Sequence, residues 1–88
     1  MQKIRFDLGE DRHVRLLVHA TNDEPFAVRS ASWKLRYGDT EEASGECMID
    51  GHVIDVKISP EIRTTYYLII TYQVADETLI EKIEVEVT

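Results

Sequence analysis

The chain has 88 residues, of which 43% are hydrophobic and 31% are charged, a balance typical of a globular domain and not of a disordered segment. Its 10 basic and 17 acidic residues give a formal net charge of −7. Phosphate backbones and anionic membrane surfaces repel such an acidic chain, so the composition argues against nucleic-acid and membrane partners.

Apolar and polar residues alternate with a period of two along most of the chain, which predicts β-strands. Four strands are predicted in the first half, at residues 3–8, 14–20, 30–37 and 42–50. The third strand is the most regular, because its inward face is uniformly apolar: Ala31, Trp33, Leu35 and Tyr37. The fourth is the weakest, with Cys47 and Ile49 as its inward pair. Pro25 ends the run of turn residues that separates the second strand from the third.

The second half begins at Asp50-Gly51, a pair that predicts a tight hairpin with positive φ at both central residues. Three more strands follow, at residues 54–59, 66–74 and 82–87. Charges alternate along the last of them, as is typical of an edge or near-edge strand. Seven short strands without a helical period predict an all-β fold, either a sandwich or a barrel. Of the two, we expect a seven-stranded antiparallel sandwich.

The length predicts a single domain over residues 1–88. The only cysteine, Cys47, excludes an internal disulfide, and its simplest interpretation is a small buried hydrophobe. The first residues alternate apolar and charged side chains, so we expect no signal peptide, and no apolar run approaches the ~18 residues of a membrane span. We therefore expect synthesis in the cytoplasm.

Two aromatic residues carry a resemblance to immunoglobulin-like and fibronectin type III-like sandwiches. Trp33 lies mid-way along the third strand, where that family has its core tryptophan, and Tyr66 opens the sixth strand after a proline-containing corner. The resemblance implies that the Tyr66 hydroxyl bonds to the chain upstream, and that Leu68 stands where the family has a cysteine. The implied fold-defining core is Trp33, Leu35, Tyr66, Leu68 and Ile70.

A narrower resemblance rests on five short segments, at residues 31–35, 43–46, 49–53, 65–68 and 74–78. They contain, in order, the tryptophan strand, Ser-Gly, Asp-Gly, Tyr-Tyr and a final Ala-Asp turn. Together they resemble small immunoglobulin-like proteins encoded among phage and prophage structural genes. The resemblance covers most of residues 26–88. It implies a virion, tail or head-decoration component, or an accessory subunit, that acts by protein contact with itself or with other particle components.

Aromatic and aliphatic residues are the candidates for a contact surface. Tyr67 and Ile69 are expected on the outer face of the sixth strand, where an exposed pair would anchor a protein partner. The alternative is that Tyr67 only covers the neighbouring strand. Phe26 and Tyr37 lie in or beside loops at one end of the sandwich. They leave open a second interpretation, a module that binds carbohydrate or another extended ligand.

The residues that could take part in catalysis or metal binding are scattered along the sequence. His13 and His19 would lie about 20 Å apart on one strand, too far to share a metal ion, and His52 lies beside a turn. Residues 22–26 faintly resemble a calcium-binding linker of cadherins but are more simply a turn. The glutamate pairs Glu41-Glu42 and Glu84-Glu86 are expected to face water, and Cys47 has no base in register. We therefore expect a non-enzymatic protein without a metal or other cofactor.

Overall fold

The computed structural model describes residues 1–19 and 26–88 of the chain. They form eight β-strands: β1 (Gln2–Phe6), β2 (Arg12–Leu17), β3 (Val28–Tyr37), β4 (Thr40–Glu46), β5 (Met48–Asp50), β6 (Val53–Ile58), β7 (Thr65–Val74) and β8 (Glu77–Val87). No helix in these two ranges is long and apolar enough to cross a membrane. Ala20 and the turn predicted at residues 21–25 lie outside the described residues.

The strands form two sheets, which confirms the predicted all-β, two-layer class. The larger sheet has the order β1-β8-β7-β3-β4, and the smaller has the order β2-β6-β5. One pairing differs from the predicted antiparallel arrangement, because β1 runs parallel to β8. Lys3 on β1 lies 3.4 Å from Glu84 and 3.3 Å from Glu86 on β8. The charges predicted to protect an edge are therefore partly paired with a neighbouring strand.

The predicted number of seven strands is wrong, because the segment 42–50 is divided between the two sheets. Its first part, β4, pairs with β3, and its second part, β5, pairs with β6. Cys47 stands between them, and its backbone N–H donates a 2.9 Å hydrogen bond to the carbonyl of Ala31. A strand that changes sheets must reorient its side chains, which explains why the alternation in this segment is weak. Ile49, predicted to point inward, is 37% exposed.

The core lies between the sheets, where the inward residues of the long strands meet. Phe6 of β1 and Leu35 of β3 are buried there. Three residues from each of β6, β7 and β8 join them: Ile54, Val56 and Ile58; Tyr66, Leu68 and Ile70; Ile83, Val85 and Val87. The pairing of β3, β7 and β8 aligns Leu35, Leu68 and Ile83 in one row across the larger sheet. The alternating pattern thus produces a continuous apolar layer.

Trp33 lies at the margin of this core and is half-buried. It stands opposite Gly45, where an added Cβ would lie 3.2 Å from the indole Nε1. Glycine therefore provides the space that the indole needs. Among the described strands β4 is the outermost of its sheet, so Trp33 on β3 is one strand from the edge, which accounts for its partial exposure.

The hairpin predicted at Asp50-Gly51 is formed one residue later. Asp50 pairs with Val53, so the two central residues are Gly51 and His52. Gly51 has a φ of +60° and is the only one of the two with a positive φ. A turn that needs positive φ only at its first central residue places the glycine there, which shifts the turn by one residue from the prediction.

The hairpin between β7 and β8 offers a test of backbone strain. Its first central residue is Ala75, with a φ of +54°, a conformation that glycine adopts more readily than alanine. We expect Ala75→Gly to raise the free energy of unfolding by about 1 kcal/mol, measured by urea denaturation. The matched control is Ala27→Gly, at an exposed position without a positive φ, which should lower stability slightly. A loss of stability in Ala75→Gly would contradict the strain argument.

Candidate contact surface

The outer face of the larger sheet carries apolar side chains that the smaller sheet does not cover. Tyr66, Leu68 and Ile70 of β7 point inward and are completely buried. By alternation, Tyr67 and Ile69 point outward, and Tyr67 is 36% exposed while Ile69 is half-buried. The strand has hydrogen-bonded neighbours on both sides, yet only one of its faces is packed against the core.

Ile80 extends this apolar surface onto β8. It lies opposite Thr71, one row from Ile69, and is 63% exposed. By sheet geometry such diagonal neighbours have Cβ atoms within about 7–8 Å of each other. Sequence reasoning missed Ile80 because the last strand was predicted to begin at residue 82, whereas β8 begins at Glu77. Extending the alternation of that strand back to the turn would have placed Ile80 on the outer face.

Three cations surround these apolar residues. Lys82 and Lys34 lie directly opposite Ile69 on its two sides, and Arg36 lies opposite Tyr67. Lys34 approaches Glu41 at 3.9 Å, the limit of an ion pair. Within residues 1–19 and 26–88, Arg36 and Lys82 make no ion pair. We call Tyr67, Ile69, Ile80, Lys34, Arg36 and Lys82 the outer patch.

Phe26 and Tyr37, the other two predicted contact residues, do not join the outer patch. Phe26 stacks on the His52 ring with a centroid distance of 4.1 Å, and its carbonyl lies 3.0 Å from His52 Nε2. Tyr37 packs edge-on against the buried Tyr66 ring at 5.3 Å. The four residues are therefore divided among three places in the molecule.

The Tyr66 hydroxyl links the start of β7 to two other segments. It accepts a hydrogen bond of 3.1 Å from the backbone N–H of Ile62 and donates one of 2.5 Å to Glu42 Oε1. The second oxygen of Glu42 accepts a 3.4 Å hydrogen bond from the backbone N–H of Glu61. Tyr66 and Glu42 thus fix the loop between β6 and β7 onto β4.

This arrangement predicts a loss of stability in alkaline solution. Burial, reinforced by the hydrogen bond to Glu42, raises the pKa of Tyr66 to about 12, whereas a free tyrosine has a pKa of about 10. The folded chain therefore holds this proton more tightly than the unfolded chain does. The stability that results is fully present below pH ~10 and is lost as the pH rises through the folded-state value. The free energy of unfolding, measured in urea across this pH range, should fall more steeply for the native chain than for Tyr66→Phe. Parallel decreases would contradict the assignment.

Cys47 is half-buried against the core, whereas His13 contacts a carboxylate on the neighbouring strand. Burial raises the pKa of the Cys47 thiol to about 11, so it is protonated near neutrality. His13 Nδ1 lies 2.6 Å from Asp55 Oδ1, and Arg15 donates to the other oxygen at 3.2 Å. The hydrogen bond with His13, followed by the charges of His13 and Arg15, lowers the pKa of Asp55.

A metal site is not found among the residues that the structure describes, where no group of three or more His, Cys, Asp or Glu side chains converges. His19 follows the end of β2 and is exposed. Most of the segment 22–26, which was compared with a calcium linker, lies outside the described ranges.

A shallow groove borders the outer patch on the same face. It has a volume of about 260 Å³ and is lined mainly by small hydroxyl and charged residues between β3, β4 and β7: Ser32, Lys34, Ser44, Glu46 and Thr71. Ile69 and Trp33 also line it, and the groove shares Ile69 and Lys34 with the outer patch. Its open shape exposes hydroxyl groups and the Glu46 carboxylate to solvent.

Comparison with known proteins identifies a similar fold but no protein family. No model of a protein family matches the chain, and no curated protein matches it. One similar solved structure is a crystal structure described as an engineered protein, with a TM-score of 0.78 and 23% sequence identity. The match covers 99% of this chain and 18% of that chain. At this identity the likeness establishes the fold alone.

Proposed function

We propose that this chain is an immunoglobulin-like module that acts by protein contact and not by catalysis, as a component of a phage or prophage particle. The contact is made through the outer face of the larger sheet. The observation that carries this proposal is the outward exposure of Tyr67, Ile69 and Ile80 on a sheet face left open by the second layer. Exposed apolar residues that cluster on one face are typical of protein-binding surfaces.

The strand order supports the immunoglobulin-like part of the proposal. In that fold, one sheet contains the third, sixth and seventh strands of the family and the other contains the second, fourth and fifth. With β4 counted as an additional strand, β3, β7 and β8 correspond to the third, sixth and seventh strands and share one sheet, and β2, β5 and β6 form the other. The first strand departs from this order, because β1 pairs with β8 and not with β2. The hydrogen bond from the Ile62 N–H to the Tyr66 hydroxyl matches the tyrosine corner that the family has at the start of its sixth strand.

Site-specific photocrosslinking tests the contact surface. Benzoylphenylalanine replaces Ile80 on the outer face, and in a control variant it replaces Lys57, which is exposed on the smaller sheet. After irradiation of the cells that produce the protein, we expect a covalent adduct with a protein, identified by mass spectrometry, from position 80 and not from position 57. No adduct from position 80, or equal adducts from both positions, would contradict a contact through this face.

Association with a particle requires a separate experiment. Prophage induction followed by particle purification should yield the chain at a fixed ratio to the major structural proteins, measured by quantitative mass spectrometry. Recovery of the chain only in the particle-free fraction would reject the phage part of the proposal. It would leave the contact surface to be judged by the crosslinking result.

A carbohydrate-binding module is the second candidate, and the groove beside the outer patch favours it. Hydroxyl-bearing Ser32, Ser44 and Thr71 lie there with Glu46 and the half-buried Trp33. Sugar hydroxyls would find hydrogen-bond donors and acceptors in such a groove. Binding on a glycan array that is lost in Ser32→Val would support this candidate, and absence of binding to every glycan would reject it.

A further inference from the structure

We propose that the outer patch binds an acidic polypeptide segment of another protein, one that carries an apolar side chain among its carboxylates. This inference rests on the proposed function and names the chemistry of the partner. The chain as a whole has a formal net charge of −7, whereas the outer patch contains three cations. The carboxylates that border the patch, Glu41 and Glu84, lie 3.9 Å from Lys34 and 3.4 Å from Lys3.

The register of the sheet fixes the arrangement of these cations. Lys82, Ile69 and Lys34 form one row across β8, β7 and β3, so each lysine has its Cβ about 5 Å from that of Ile69. Arg36 flanks Tyr67 in the next row, and Glu84 on the other side of Tyr67 is paired with Lys3 at 3.4 Å. Positive charges therefore flank Ile69 on both sides and Tyr67 on one side.

The pairing state of the cations favours an external anion. Lys82 has no carboxylate within ion-pair distance among the described residues, and the Arg36 guanidinium donates only to the carbonyl of Gly38, at 3.2 Å. Lys34 is held by Glu41 at 3.9 Å only. Carboxylates of a docked segment can pair with these groups without breaking a strong internal bond, while its apolar side chain packs on Ile69 and Ile80.

Two other occupants fit less well. Nucleic acid is also anionic, but the −7 charge of the chain repels it beyond the immediate contact. A second copy of this chain carries the same net charge and is repelled in the same way. An acidic segment of a different protein meets the same field, but with a few carboxylates it carries less negative charge than a nucleic acid or a second whole chain and is repelled less.

Peptide titration followed by NMR tests the proposal. The probes are three synthetic 12-residue peptides: one of glutamate and serine with two leucines, one with its leucines replaced by serine, and one with its glutamates replaced by glutamine. With the ¹⁵N-labelled chain, we expect the first peptide to shift amide signals of residues 34, 36, 67, 69, 80 and 82, and to bind most tightly. Equal binding of the glutamine peptide, or shifts confined to the smaller sheet, would overturn the proposal.

Matched charge reversals distinguish the patch from the overall field of the chain. Lys82→Glu, and independently Lys34→Glu, should weaken binding of the acidic leucine peptide by about 5- to 10-fold. Lys57→Glu changes the net charge equally but lies on the other sheet, 3.3 Å from Asp11, and should leave binding unchanged. Equal effects of all three variants would overturn the proposal.

The same samples separate this inference from the proposed function. If a 12-nucleotide dT strand binds more tightly than the peptide, the occupant is nucleic acid and not an acidic segment. If analytical ultracentrifugation shows a concentration-dependent dimer that Ile80→Glu abolishes, the occupant is a second copy of this chain. If photocrosslinks form at position 80 while the acidic peptide does not bind, the contact function stands and the acidic chemistry is rejected. If position 80 forms no crosslink, the proposed function itself fails.

Discussion

Replacing Leu68 with alanine is expected to lower the free energy of unfolding by about 3–5 kcal/mol, the largest effect of any single substitution considered for this protein. Leu68 is completely buried on the central strand β7, between Leu35 and Ile83. Truncation removes apolar contacts and leaves a cavity that two flanking strands and the opposite sheet cannot easily fill. A domain of this size has a total stability of about 4–13 kcal/mol, so the variant approaches the limit of folding.

Urea denaturation followed by the fluorescence of Trp33, the only tryptophan, measures this effect. The matched control is Leu17→Ala, which makes the same chemical change at a position that is 54% exposed and should cost about 0.5 kcal/mol or less. If the two variants lost similar stability, Leu68 would not be in the core. Where Leu68→Ala does not fold, Leu68→Val provides the same comparison with a smaller cavity.

The second large effect is expected from Tyr66→Phe, which removes one oxygen atom and leaves the ring in place. The change deprives the Ile62 N–H of its acceptor and Glu42 of a donor, in a partly buried site. We expect a loss of about 1–3 kcal/mol, because polar groups left without partners retain their desolvation penalty. The neighbouring Tyr67→Phe is the control, since that side chain points outward and its loss of a hydroxyl should change stability little.

A double-mutant cycle with Glu42→Gln separates the two hydrogen bonds of the hydroxyl. If Tyr66 and Glu42 act as a unit, the double variant should lose less than the sum of the single losses, by about 0.5–3 kcal/mol. Strict additivity would mean that Glu42 contributes independently of Tyr66. Equal stability of Tyr66→Phe and Tyr67→Phe would contradict the role assigned to the hydroxyl.

Alternation of side chains was enough to predict the all-β class and most of the strands. Strands 30–37 and 66–74 correspond closely to β3 (Val28–Tyr37) and β7 (Thr65–Val74), because every second residue faces a common core. The division at Cys47 could not be predicted, since the transfer of a strand between sheets depends on which partner it meets. The parallel pairing of β1 with β8 joins opposite ends of the sequence and has no local signal.

The candidate surface was only partly predictable for the same reason. Tyr67 and Ile69 follow from the alternation in a single strand, whereas Ile80, Lys34 and Lys82 are brought beside them by the register of three strands. Phe26 was predicted as a loop residue open to a ligand, but it stacks on His52, which is 26 positions away in the sequence. Periodicity thus identifies the face of a residue, and only the pairing of strands identifies its neighbours.

The single residue between β4 and β5 has a mechanical consequence. One extended residue spans at most about 3.6 Å, so the chain has no slack where it passes from one layer to the other at Cys47. The two sheets cannot separate at this corner unless β4 or β5 first loses its hydrogen bonds to its partner strand. Any separation of the two sheets must therefore begin elsewhere, where longer connections such as residues 7–11 join them.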